Sequence, residues 1–137
     1  MAADDGRNQM LWPARIIGAV TAAYSVACVV KPEILAGPTQ LVEPDGRASR
    51  GVAVLARGAS ARDLITGVAM AAAPTAAGVR MAGALRLGAD VADAVGMGVA
   101  LPTAQARNKA ALVAGGWGAL TALTLLLARK RQSSTSS

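Results

Sequence analysis

The chain has 137 residues, 53% of them apolar and 16% charged, and a net charge of +6; its mean hydropathy is +0.42. A soluble domain carries about 25% charged residues, so this chain is short of the groups that wet a surface, and its length suits one domain. With no His and Cys28 as the only cysteine, a histidine triad, a His-ligated zinc or haem, a thiolate zinc cage and an internal disulfide are excluded, and no metal or cofactor is expected. The aromatics (Trp12, Tyr24, Trp117) are not interleaved with the basic residues, which argues against nucleic acid as a partner. Composition favours an integral membrane protein.

Residues 1–13 form a polar N-terminal segment. The apolar run 16–30 follows Trp12, Pro13 and Arg15 and stops at Lys31-Pro32. With Ala14 and the snorkelling stems of Arg15 or Lys31 it predicts a membrane-spanning helix over 14–31, with Trp12 at the interface. A cleaved signal peptide is the rival reading. Against it, Asp4 and Asp5 offset Arg7, and Ser25-Val26-Ala27-Cys28 has Ser where a lipoprotein box wants Leu. Cys28 reads as a small buried hydrophobe.

Loop 32–49 carries Pro32, Pro38 and Pro44, with Ile34, Leu35, Leu41 and Val42 expected to lie on the bilayer surface. Residues 50–73, ending at Pro74, and 76–101, ending at Pro102, have the length of spans but hold charges inside them. Gly58, Ser60, Gly67, Gly83, Gly88 and Gly96 are small enough to let these helices approach closely. The last helix, 109–128, includes an uncharged run at 110–128 closed by Arg129-Lys130-Arg131. At 1.5 Å per residue that run spans roughly 28 Å, close to a bilayer core. Residues 129–137 form a basic and polar tail. The expectation is all-α: a four-helix transmembrane bundle over 14–128, with the lipid bilayer as its surroundings.

Four spans put both termini on one side. That side holds Arg7, Arg15, Arg80, Arg129, Lys130 and Arg131; the other holds Lys31, Arg47, Arg50, Arg107 and Lys109. By the positive-inside rule this small excess places the termini in the cytoplasm, with a bacterial cell membrane as the expected location.

Six charges fall inside the predicted spans: Arg57, Arg62 and Asp63 on the second, and Arg86, Asp90 and Asp93 on the third. They sum to zero, as a bilayer requires, since a lone mid-membrane charge costs about 2.5–3.5 kcal/mol on the insertion scale. Arg86, Asp90, Asp93 and Met97 follow one helical stripe at i, i+4, i+7 and i+11. On the second span, Arg57 and Arg62 are five apart and Asp63 adjoins Arg62, so these groups point in different directions. At least one of them faces a turn, the interface or another chain. The candidate site is the Arg86/Asp90/Asp93 stripe facing Arg62 and Asp63 across the bundle, with Arg57 and Met97 as substrate contacts. Buried Arg–Asp pairs also fix helix register without any other role. Met70 and Met81 read as packing.

The run Ala56-Arg57-Gly58, Arg62-Asp63-Leu64 and Gly67, followed by Arg86 and Asp90, resembles a largely uncharacterised family of small four-helix integral membrane proteins from bacteria and fungi. Its motif is A-R-G-x(3)-R-D-L-x(2)-G, and the resemblance covers residues 14–128. Some fungal members are associated with epoxide hydrolysis in polyketide pathways. The resemblance thus implies an epoxide hydrolase or isomerase whose site includes Arg57, Arg62, Asp63 and Asp90; Asp93 stands on geometry alone. The paucity of aromatics departs from what a carbocation-forming cyclase needs.

The chemistry of the residues is compatible. Opening an epoxide needs a base to activate water and an acid for the departing oxygen. Two carboxylates close together in low dielectric do not both ionise, so Asp90 and Asp93 suit that pair, with Arg86 or Arg62 holding the ionised one. An intramembrane pocket suits a lipophilic small-molecule substrate. The alternative is a non-enzymatic binding or transport subunit using the same cluster as an ion or proton relay, which at four helices needs a homo-oligomer.

Overall fold

The structure, a computed structural model, describes residues 11–101 and 103–134, with side chains as far as Leu126. The described residues form α1 (Trp12–Val30), α2 (Glu33–Ala36), α3 (Arg50–Ala72), α4 (Ala76–Ala100) and α5 (Ala104–Ser134), with no strand among them. The fold is all-α. Most of the polar N-terminal segment with Arg7, Pro102, and the side chains of Arg129, Lys130 and Arg131 lie outside what is described.

The first three long helices match the expected bounds closely, and the last does not. Helix α5 begins at Ala104 rather than 109 because Thr103 Oγ1 accepts from the Ala106 N–H at 3.1 Å. That cap adds a polar first turn, which an apolar run cannot reveal. At its other end the backbone stays helical through residues expected to form the tail. Ser49 and Thr75 cap α3 and α4 in the same way, accepting from Val52 at 3.4 Å and Gly78 at 3.1 Å. Pro74 forces Ala73 out of helical geometry and so ends α3. Helix α1, and α5 from Ala104 to Leu126, are long and apolar enough to cross a membrane.

Helices α1 and α3 make the closest pair. A Cβ built on Gly18 meets the Gly67 carbonyl oxygen at 2.7 Å, and one on Gly67 meets the Gly18 oxygen at 2.7 Å, so only glycine fits at either position. The two run antiparallel and brace one another reciprocally. Arg15 donates to the Ala71 and Ala73 carbonyls at 2.8 and 2.7 Å, and Arg57 Nε donates to the Val29 carbonyl at 3.1 Å. Each helix thus places a guanidinium from its first half on the negative C-terminal end of the other. Arg15 caps the α3 C-terminus. Gly83 packs on Leu125 in the α4–α5 pair, whereas a Cβ on Gly58, Gly88 or Gly96 would meet open space. These three are therefore not the close-packing points expected of them.

Two apolar clusters close the bundle. Leu11, Ala14, Met70, Val79 and Ala82 pack where α1 starts and α3 ends. Leu101, Ala106 and Ala110, with Met97, pack at the opposite end. Between them sit the charges.

The 32–49 loop is folded back on itself. Val42 pairs with Ala48, Gly46 turns the chain at φ +80, and Glu33 accepts from the Ala48 N–H at 3.3 Å. Gln40 ties the loop to α5, accepting from Thr103 Oγ1 at 2.8 Å and donating to Gln105 at 3.4 Å. Ile34 and Leu35 turn inward to line the central cavity instead of lying on the bilayer surface.

Candidate functional site

Five of the six charges come together midway along α3 and α4. Arg62 grips Asp93 with two contacts, Nη2 to Oδ2 at 2.6 Å and Nη1 to Oδ1 at 3.3 Å, a fork-to-carboxylate geometry. The same guanidinium reaches Asp63 Oδ1 at 3.1 Å. On the other side, Arg86 Nε lies 3.0 and 3.2 Å from the two Asp90 oxygens, the i,i+4 pair that the stripe predicts. Asp63 joins the two halves, with its second oxygen 3.2 Å from Arg86 Nη1. The order in space is Asp93, Arg62, Asp63, Arg86, Asp90.

Burial is graded along this chain. The Arg62 side chain is 39% exposed, whereas those of Arg86 and Asp90 are 8% and 6% exposed. The ion pair of Arg86 Nη1 with Asp63 lacks the angle of a hydrogen bond. Nη1 is therefore a buried donor without a hydrogen-bond partner among the described residues. A buried guanidinium N–H left so is costly, and it marks where an acceptor is wanted.

Arg57 is not part of the cluster. Its side chain is directed to the exposed α1 C-terminus, as the five-residue spacing on α3 requires for one of the two arginines. The neutral set of six is thus reduced to two guanidiniums and three carboxylates. Nor do Asp90 and Asp93 hydrogen-bond one another; each is held by its own arginine. Among the described residues, no group of three His, Cys, Asp or Glu side chains is placed to hold a metal ion.

Asp63, Arg86, Asp90 and Asp93 of the cluster form one wall of a cavity of about 120 Å³ that Met97 also lines, whereas Arg62 does not border it. The opposing walls come from Tyr24 and Ser25 on α1, Ile34 and Leu35 on α2, and Val113 and Trp117 on α5, with Lys109 contributing a charge. Sequence reasoning found the charged wall and Met97 but missed the others. A signal for α1 was present. Its buried residues Ala14, Gly18, Thr21, Ser25 and Cys28 repeat at 4-3-4-3 spacing, a small and polar seam in an apolar helix. Nothing local marks Ile34 or Leu35, whose position depends on the folded loop. The chemistry available is thus a compact array of carboxyls and guanidiniums facing a chamber of mainly apolar side chains with a few hydroxyls. No protein-family profile, curated protein or solved structure matches the chain.

Proposed function

We propose that this chain is a small integral membrane enzyme of four transmembrane helices that opens an epoxide on a lipophilic molecule by acid–base catalysis. The membrane reading is supported by the outward faces of the two charged helices. Leu55 and Ile65 on α3, and Leu85 and Val99 on α4, are exposed at 75%, 69%, 62% and 81%, while Asp63, Arg86, Asp90 and Asp93 line the interior cavity. Apolar outside and charged inside is the arrangement of a bundle whose solvent is lipid.

The observation that carries the enzymatic reading is the cavity with three carboxyl groups on one wall and mainly apolar side chains, with the hydroxyls of Thr21, Tyr24 and Ser25, on the others. Asp90, the most buried carboxyl, serves as the acid, and Asp93, nearer to water, as the base. Water attacks one epoxide carbon and gives a proton to Asp93. The carbon–oxygen bond breaks, and its oxygen takes the Asp90 proton, giving a diol. A proton then returns from Asp93 to Asp90 through water, restoring both. Arg62 and Arg86 orient the carboxyls and keep their own protons throughout. For that reason the arginine-linked chain is a poor proton relay, and the geometry favours an enzyme over the transport alternative.

Turnover of a panel of lipophilic epoxides by the purified protein in detergent tests the reading. Diol formation that depends on Asp90 is the expected result, and an inert wild type across the panel overturns it.

A further inference from the structure

Asp90 faces two spaces. One is the inner cavity; the other is a cleft on the outer surface between α4 and α5, walled by Leu87, Val91, Gly115 and Gly118. Ala114 also borders both, so Asp90 and Ala114 form the partition between them. Glycine keeps the cleft shallow-walled. A Cβ on Gly115 would meet nothing within 4 Å, and one on Gly118 would make ordinary contact with Leu87 at 3.5 Å and Asp90 at 3.6 Å. Behind the partition lies Arg86, with its side chain more than nine-tenths buried and Nη1 3.2 Å from Asp63 Oδ2 without the angle of a hydrogen bond, so that its N–H is left to another acceptor.

We infer that the α4–α5 cleft is a lateral doorway by which a neutral, oxygen-bearing apolar molecule passes from the bilayer to Asp90, its oxygen accepting from Arg86 Nη1. The inference rests on the membrane reading above, but not on epoxide chemistry. The charges favour a neutral ligand. Arg62 and Arg86 are already matched by Asp63 and Asp93 even when Asp90 holds a proton, and Lys109 is exposed on α5, so no uncompensated buried cation draws an anion inward. Size bounds the ligand as well. An apolar cavity of about 150 Å³ holds benzene, so about 120 Å³ takes at most one ring or a small branched segment. The remainder of a longer molecule lies in the cleft. The oxygen belongs at the junction of the two.

Benzophenone is a neutral ketone with this layout, and on irradiation its carbonyl carbon inserts into a nearby C–H bond. The full chain in phosphatidylcholine vesicles is irradiated with benzophenone, and the adducts are mapped by peptide mass spectrometry. Adducts should concentrate on the facing surfaces of α4 and α5 at Leu87, Val91 and Val113, above the background on lipid-facing Leu55 and Ile65. Gly118→Leu should lower them about tenfold, the loss expected when a one-ring site is filled, while Gly118→Ala should leave them near wild type. Because Gly118→Leu risks disturbing the helix pair, Gly115→Leu, built into open space, serves as a second block. Phenyl benzoate should compete better than diphenylmethane, which has no oxygen. Even labelling of all lipid-facing helices, no response to either leucine, or equal competition by the two compounds overturns the doorway. Failure of the protein to float with the vesicles instead refutes the membrane reading itself. Labelling at the cleft without epoxide turnover leaves the doorway standing and removes only the proposed reaction.

Discussion

Gly18 and Gly67 sit back to back across the α1–α3 interface, each occupying the space where the other's Cβ would be. Adding a methyl group to either pushes on backbone rather than on a pliable side chain. Gly18→Ala or Gly67→Ala should therefore cost about 1–3 kcal/mol, the usual penalty of overpacking. Gly58→Ala, mid-helix with open space around it, should gain up to about 1 kcal/mol from helix propensity. Thermal melts in one detergent check the sign at each site, and a uniform gain for all three alanines would contradict the close contact.

Removing a buried charge strands its partner. Arg86→Ala leaves the buried Asp90 without its guanidinium and should destabilise by about 3–5 kcal/mol. Arg62 is more exposed, so Arg62→Ala should cost less, and Arg57→Ala less again. Combining Arg86→Ala with Asp90→Ala should recover part of the loss, because the buried carboxyl left without its hydrogen-bond donor is gone. Denaturant unfolding of the two single variants and the double variant provides the comparison; an additive double variant would mean the pair is uncoupled.

Catalytic roles separate from structural ones by isosteric change. Asp90→Asn and Asp93→Asn retain size and hydrogen-bonding capacity but not proton exchange. Each should fold, yet lose roughly 100-fold or more in kcat, the scale of a lost general acid or base. Activity is compared at matched folded fraction, where a loss that merely tracks stability would reduce the cluster to a register device.

The proposed four-span arrangement requires both termini on one membrane face and the 32–49 loop on the other. Tags at the two ends should share accessibility in sealed vesicles, and a tag within the loop should show the opposite response. Termini on opposite faces would require an odd number of spans and exclude the four-span arrangement.

The loop carries its own pH dependence. Glu33 is held below the usual carboxylate range by hydrogen bonds from its own backbone N–H and that of Ala48, against a smaller opposing effect of desolvation. A depressed folded pKa means that the carboxylate favours the ordered loop at pH values above its unfolded pKa, about 4.3. That contribution fades as pH falls through the lower folded value. The Ala48 amide resonance should titrate below pH about 4.3 in the wild type and show no such step in Glu33→Gln.

Much of the site was legible in the sequence because helical spacing is strict. Arg86, Asp90, Asp93 and Met97 could only share a face, and neutrality in lipid demanded partners from another helix. The fate of Arg57 was legible only in part, since its spacing from Arg62 said that one arginine must turn away but not which. The approach of Gly18 to Gly67 was missed because the first helix was read for hydropathy, which ranks Gly18, Thr21 and Ser25 as weak apolar positions rather than as a seam. The inward turn of Ile34 and Leu35 has no local cause at all. It accompanies tethers from Gln40 to Thr103 and Gln105, distant in the chain from the loop.

The chamber borrows its walls from both ends of the chain, Thr21 and Tyr24 on α1 and Trp117 on α5. No fragment short of the whole bundle contains it, so a ligand held there binds only the assembled state and stabilises it by mass action. At a hundred times its dissociation constant such a compound adds about 2.7 kcal/mol to unfolding. A shift in melting temperature is thus a reporter of occupancy that needs no knowledge of the reaction, and ligands can be ranked by heat before any product has been identified.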